Sequence, residues 1–352
     1  MLNNKDENDA TFGLFLKLTP FFCALMVIGI HSYNAGGVDQ LSITARIEGS
    51  LSHGLFTAAV PIFMFLSGFL FFRNANNLRD VIAKQKRRLT SDLIPFLGWS
   101  GLYYFIFTAA YVLLPSNNEQ IQISIAAIIK GIVFYKCIFP MWFMFQLLVY
   151  IALAPVVFKM LEDTKLSMIV LSIAAVLAYL KIAWTVDIDN DTRTIFAFNF
   201  FFYYFAGAIA SKYQKQFFRA IDRLARIHWV MIGFILIIVS FLAGLAFDIL
   251  PVYNHRIMVP AVAFISFVAF YKLSKYMISI GGRGAYRIPT MIIYGLHPLI
   301  GMVVGRMLDF IEINKMLSYF IMFFLVTFIT VCGALIIKKI PITNFIFNGN
   351  RK

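Results

Sequence analysis

The sequence predicts an all-α, polytopic membrane bundle of about ten transmembrane helices with both termini in the cytoplasm. Three observations lead there. The chain is 61% hydrophobic over 352 residues, too apolar for an ordinary soluble domain. Apolar runs of about 20 residues, the length that crosses a bilayer as a helix, recur from one end to the other. Finally, cations crowd alternate loops only, the pattern that fixes orientation across a membrane.

The runs lie near 13–33, 51–72, 92–114, 141–158, 166–184, 194–211, 229–248, 257–273, 288–307 and 316–337. Before the first, Met1 to Asp9 sets a single lysine against Asp6, Glu7 and Asp9. That is the wrong charge pattern for a cleaved signal peptide, so the first span is expected to stay. Arg73, Arg79, Lys84, Lys86, Arg87 and Arg88 fill the second loop, and Lys212, Lys215, Arg219, Arg223 and Arg226 the sixth. Lys272, Lys275, Arg283 and Arg287 fill the eighth, while Lys338, Lys339, Arg351 and Lys352 follow the last span. The intervening loops are poor in cations, and one carries Asp187, Asp189 and Asp191. A net charge of +14 spread in this way argues against a nucleic-acid surface, which needs its cations on one face of a soluble domain. The stretch from Ile121 to Phe134 is apolar but broken by Gln122, Ser124 and Lys130. Two placements suit it, flat at the outer interface or dipping partway in.

No repeat, linker or soluble appendage interrupts the pattern, so residues 1–352 read as one integral membrane domain with short cytoplasmic tails at 1–12 and 338–352. Cys23, Cys137 and Cys332 fall in or beside apolar stretches without paired spacing and read as packing residues. His53, His228 and His255 show no ligand spacing with another His, Asp or Glu, and no metal is expected.

His31 closes the first apolar run. An imidazole at the end of a membrane-length segment costs free energy unless it has partners, which makes it a site hypothesis by default. The alternative is a buried histidine satisfied by a neighbouring helix.

Several phrases in order resemble the bacterial acyltransferase-3 family of integral membrane acyltransferases. They are Met26 to Ser32 in span one, Ala59 to Phe71 in span two, and Lys86-Arg87-Arg88-Leu89 followed by Leu93 to Ser100 at span three. Met141-Trp142-Phe143-Met144 opens span four, and Tyr294-Gly295-Leu296-His297-Pro298-Leu299-Ile300 lies in span nine. The likeness covers nearly the whole chain and is to the shorter, stand-alone members that modify polysaccharides or glycolipids.

The resemblance implies transfer of an acyl group, acetyl by family frequency, from acyl-CoA to a hydroxyl of a cell-envelope or secreted glycan at the bacterial cytoplasmic (inner) membrane. The partners implied are acyl-CoA (acetyl-CoA), a glycan or glycolipid acceptor and membrane lipid, without nucleic acid. A sugar hydroxyl is a weak nucleophile, and an imidazole with a pKa near about 6.5 can take its proton as attack on the acyl carbonyl begins. His31 is the candidate base. His297 is implied to lie near the site, or it bonds across helices as a structural residue. Arg87, Arg88 and Lys84 clamp coenzyme phosphates, or they only hold the loop in the cytoplasm. Trp142 stacks on a sugar ring or belongs to the interfacial aromatic belt.

The chain departs from the family pattern twice. Pro20 stands where the family has an arginine ahead of His31, on nearly the same helical face and about 16 Å away along the axis. Lys17, one turn earlier, is the substitute cation, though a lysine lacks the planar fork of a guanidinium. Ser91 replaces the second arginine of a pair whose first member is Arg88. A thioester arm entering from the Arg88 side would meet His31 inside the bundle. Two other readings stand: a glycan-precursor transporter or flippase, weakened by the terminal placing of Asp92 and Asp248, and a member that binds without transferring.

Overall fold

The computed structural model describes residues 4–34, 39, 42–113, 124–135, 138–188, 191–248, 252–281, 288–311 and 313–349. Ile121, Gln122, Cys137, Asp189, Arg283, Arg287, Arg351 and Lys352 lie outside the described residues. Helix dominates, as the composition requires. Among the described residues, seven helices are long and apolar enough to cross a membrane, and a bent pair counted as one span raises the number to eight.

Two of the ten runs yield helices shorter than that length. The run at 166–184 yields α8 (Thr164–Tyr179), a helix of only 16 residues, about 24 Å against a hydrocarbon core of about 30 Å. The run at 194–211 begins in a β-strand and continues as a 15-residue helix, α9 (Phe198–Lys212). Hydropathy registers apolar residues and not the rise per residue.

The chain folds as two compact units, 1–73 with 206–334 and 74–205 with 335–352. In the first, α1 (Asn4–Ile30) packs on α3 (Ala59–Phe72), α12 (Val252–Ser279) and α13 (Thr290–Ile311). α2 (Ile43–Gly49) runs into a π-helical turn, Ser50–Leu55, and a short 3-10 turn, Phe56–Ala58, ahead of α3. The π turn lies along α11 (Trp229–Asp248). Gly244 permits this, since a Cβ there would sit 2.6 Å from the Ser50 backbone. α10 (Gln214–Leu224) sends Phe217 and Phe218 toward the unit and leaves Lys215, Arg219 and Arg223 on its outer side. Those two rings join Phe12, Phe15, Phe65, Phe69 and Phe267 in mostly edge-to-face pairs 4.8 to 6.1 Å apart, the favoured aromatic geometry. α14 (Lys315–Ile337) completes the candidate spans of this unit.

In the second unit α4 (Leu78–Leu113) has 36 residues, about 54 Å, so its basic first turns extend beyond any hydrocarbon core. α5 (Ile125–Val133) is a nine-residue helix with Ile125 and Ile129 exposed, too short to span. The fourth run is broken: α6 (Trp142–Ala152) and α7 (Ala154–Glu162) meet at 57°. Pro155, in the first turn of α7, cannot continue the hydrogen-bond ladder. Gln85 Nε2 donates to two carbonyls at the break, those of Ile151 at 3.0 Å and Ala152 at 2.8 Å.

A small antiparallel hairpin, β1 (Ala183–Ile188) and β2 (Asp191–Ala197), is inserted in the otherwise helical bundle. It is anchored on α6 by Gln146, whose amide donates to the Thr194 carbonyl at 2.8 Å and accepts from Ala197 N–H at 2.9 Å. α9 follows directly.

The segment after α14 forms one more helix. α15 (Pro341–Asn348) lies against α4, where Trp99 Nε1 donates to the Phe347 carbonyl at 3.2 Å. It stops at Gly349, whose φ of +65° is open to glycine at little cost.

Candidate functional site: a paired imidazole and a cationic groove

The last turn of α1 delivers His31, one residue beyond the span that ends at Ile30. Its N–H reaches the Val27 carbonyl at 3.3 Å, so the backbone still follows the helix. The residue is exposed on one side, yet enough protein surrounds it that burial pulls its pKa below the usual imidazole value. Such a ring is neutral at pH 7.

His297 in α13 lies beside it, ring centroids 5.3 Å apart and tilted by 35°. Local sequence explains its orientation. A helix would use the N–H of residue 298 to satisfy the carbonyl of Tyr294, but Pro298 has none. His297 Nδ1 lies 2.7 Å from that carbonyl and must carry the proton, because the oxygen can only accept. Nε2 is then left as a bare lone pair. It is buried without a partner in a residue only 2% exposed, the kind of group that calls for an explanation. The phrase Tyr294-Gly295-Leu296-His297-Pro298 thus encodes one tautomer. The structure brings together the two histidines singled out from sequence.

The basic residues divide. Lys86, Arg87, Thr90, Ser91 and Ile94 of α4, with Phe345 and Gly349 at the end of α15, line a groove of about 460 Å³. Lys86 and Arg87 are exposed there. In its lining Gly349 comes so near Ser91 that a Cβ would stand 2.0 Å from its carbonyl oxygen. Arg88 and Lys84 are not part of this lining. Arg88 is half-buried, and its charge and that of Asp92 both act on the buried Tyr204. Asp92, expected at a helix terminus, lies inside α4 and is 1% exposed. Lys17 is exposed on α1, in the other unit. Trp142 opens α6 half-buried, its ring 4.7 Å from Phe200.

Two groupings escaped the sequence. Glu48, Ser52 and Tyr319 are buried and hydrogen-bonded around the end of α1. His53 and His255 also meet, His255 Nε2 lying 3.1 Å from the His53 carbonyl while the His53 ring stacks on Phe247 at 3.9 Å. Their residues are far apart in the chain, and no spacing announces them. Among the described residues, no cluster of three or more His, Cys, Asp or Glu side chains has metal-holding geometry.

Fold and site define a multi-pass helical membrane protein in which an imidazole at the end of one helix lies beside a second, buried imidazole held by a backbone carbonyl. The acyltransferase-3 family model, described as an acyltransferase domain, matches residues 16–339. The chain belongs to that family and is an acyltransferase, joining an acyl donor to an acceptor from within a membrane. Searches of curated proteins and of solved structures return no match.

Proposed function

We propose that the protein transfers an acyl group, acetyl by preference, from acyl-CoA to a hydroxyl of a cell-envelope or secreted glycan at the bacterial cytoplasmic membrane. The observation that carries this reading is the unpartnered His297 Nε2 beside the His31 ring in a chain of acyltransferase membership. His31 is the base. The acceptor O–H gives its proton to the imidazole while its oxygen bonds to the thioester carbonyl carbon. The C–S bond then breaks, and the departing CoA sulfur takes the proton back from the imidazolium, leaving the ester and free CoA. His297, held by the Tyr294 carbonyl, shares the positive charge that His31 acquires.

The groove at Lys86 and Arg87 supports a phosphate-binding role, since exposed cations beside Thr90 and Ser91 offer charge-assisted and hydroxyl hydrogen bonds together. Arg88 and Lys84 contribute positive potential for the same coenzyme, and Lys17 on α1 is a further candidate cation for an acyl-CoA. Trp142 offers a sugar ring the surface that Phe200 leaves uncovered.

The test is purified protein given labelled acetyl-CoA and a glycan acceptor, with His31→Ala alongside. Label in the glycan that depends on His31 supports the reading. Transfer that survives His31→Ala removes the base, and no transfer to any acceptor favours a transport or binding role.

A further inference from the structure

Glu48 is a carboxylate with no exposed surface, placed in a membrane protein where burying it is costly unless it is bonded. One of its bonds goes to the chain just after His31: Asn34 N–H donates to Oε2 at 3.0 Å. Four residues further on, Ser52 is equally buried and holds the chain just before His31. Its Oγ donates to the Gly29 carbonyl at 2.8 Å and lies 3.0 Å from the Tyr319 hydroxyl. The serine has one proton and has spent it on a carbonyl, so Tyr319 supplies the proton of the second bond.

Residues four apart share a helical face, which turns Glu48 and Ser52 toward α1 together. The π turn Ser50–Leu55 belongs to this arrangement; such wide turns are rare and concentrate at functional sites. The 3-10 turn that follows it comes close to α1 at Gly29, where a Cβ would stand 2.2 Å from the Phe56 ring. The two anchors straddle the base, one at residue 29 and one at residue 34.

We propose that Glu48 and Ser52, with Tyr319 acting through Ser52, are positioning residues that set the His31 ring beside His297 by fixing the backbone on both sides of it. The proposal rests on His31 being the base. A displacement of about 1 Å at a reacting group can cost about 100-fold in rate, which gives the clamp a measurable consequence.

Ser52→Ala, Glu48→Gln and Tyr319→Phe are made in the full chain and purified in detergent, with Ser52→Thr as the conservative variant. Acyl transfer should lose about 10- to 100-fold in kcat, with the KM for acetyl-CoA changed by less than about 2-fold. Ser52→Thr, which keeps the hydroxyl, should recover most of the rate. The ¹⁵N imidazole signals of His31, assigned by comparison with His31→Ala, should also change their titration midpoint in Ser52→Ala and Glu48→Gln. Variants that melt with wild type and keep both its kcat and its His31 titration overturn the proposal. If Glu48→Gln does not fold, Tyr319→Phe carries the test, since it deletes one hydroxyl and keeps the ring. Should the wild type show no His31-dependent transfer, the base assignment fails, and the imidazole titration still decides whether the clamp exists.

Discussion

The His31 and His297 rings lie with their centroids 5.3 Å apart, and His297 alone is held by a backbone carbonyl, that of Tyr294. The roles are therefore unequal. Removing the base should cost about 100- to 10,000-fold in acyl transfer, the range for a lost general base. His297→Gln keeps a polar group without a basic nitrogen and should cost less, about 10- to 100-fold, as a misplaced or less stabilised base would. Rates of ¹⁴C-acetyl transfer for the two variants, with matched melting curves, check the order.

The pH profile follows from the partial burial of His31. Burial lowers its pKa in the folded protein, so the ring stays neutral to a lower pH than a free imidazole with its value near about 6.5. Transfer should hold steady as pH falls through that value and decline only below it. For stability the sign is the same. The unfolded chain binds the proton first, so acid weakens the fold as pH falls through the unfolded value and on through the folded one. An acid limb in kcat/KM at or above the free-imidazole value would point to another base.

Lys86 and Arg87 reach the groove at the start of α4, whereas Arg88 and Lys84 do not line it. Arg87→Ala and Lys86→Ala should each raise the KM for acetyl-CoA by about 5- to 30-fold, one lost charge-assisted bond being worth about 1 to 2 kcal/mol at an exposed site. kcat should change little. Added salt should weaken wild type more than the double variant, because screening acts on the exposed charges. Equal KM effects at Lys84 would show that overall potential, and not the groove, holds the coenzyme.

How much of this was written in the sequence differs by feature. The helical membrane class was legible, because apolar length and alternate basic loops report directly on the bilayer. His31 and His297 stood out since ionisable residues are conspicuous in apolar surroundings, and Pro298 even encodes the freed carbonyl that orients His297. Glu48 was hidden: it precedes the apolar run at 51–72, and its partner Asn34 and neighbouring Tyr319 come from other segments. Pro155 divides the fourth run in a way hydropathy averages cannot register. The hairpin before α9 was lost because Thr192 to Ala197 merges with the aromatic stretch that follows.

Close backbone approach gives the last prediction. Gly207 of α9 lies against α3 so tightly that a Cβ would stand 1.9 Å from the Phe65 carbonyl oxygen and 2.9 Å from Phe69 N. Both atoms are backbone in the middle of a helix, so no side chain can swing aside. Gly207→Ala must push α9 off α3 and disturb the rings around Phe65 and Phe217, whose centroids are 5.4 Å apart. A cost of about 1 to 3 kcal/mol or more, the usual range for overpacking, is expected. Gly233 on α11 is the control, since nothing lies within 4 Å of its would-be Cβ. Gly233→Ala should be neutral or gain up to about 1 kcal/mol from helix propensity. Thermal unfolding in one detergent compares them, and a Gly207→Ala protein as stable as Gly233→Ala would contradict the close packing of α9 on α3.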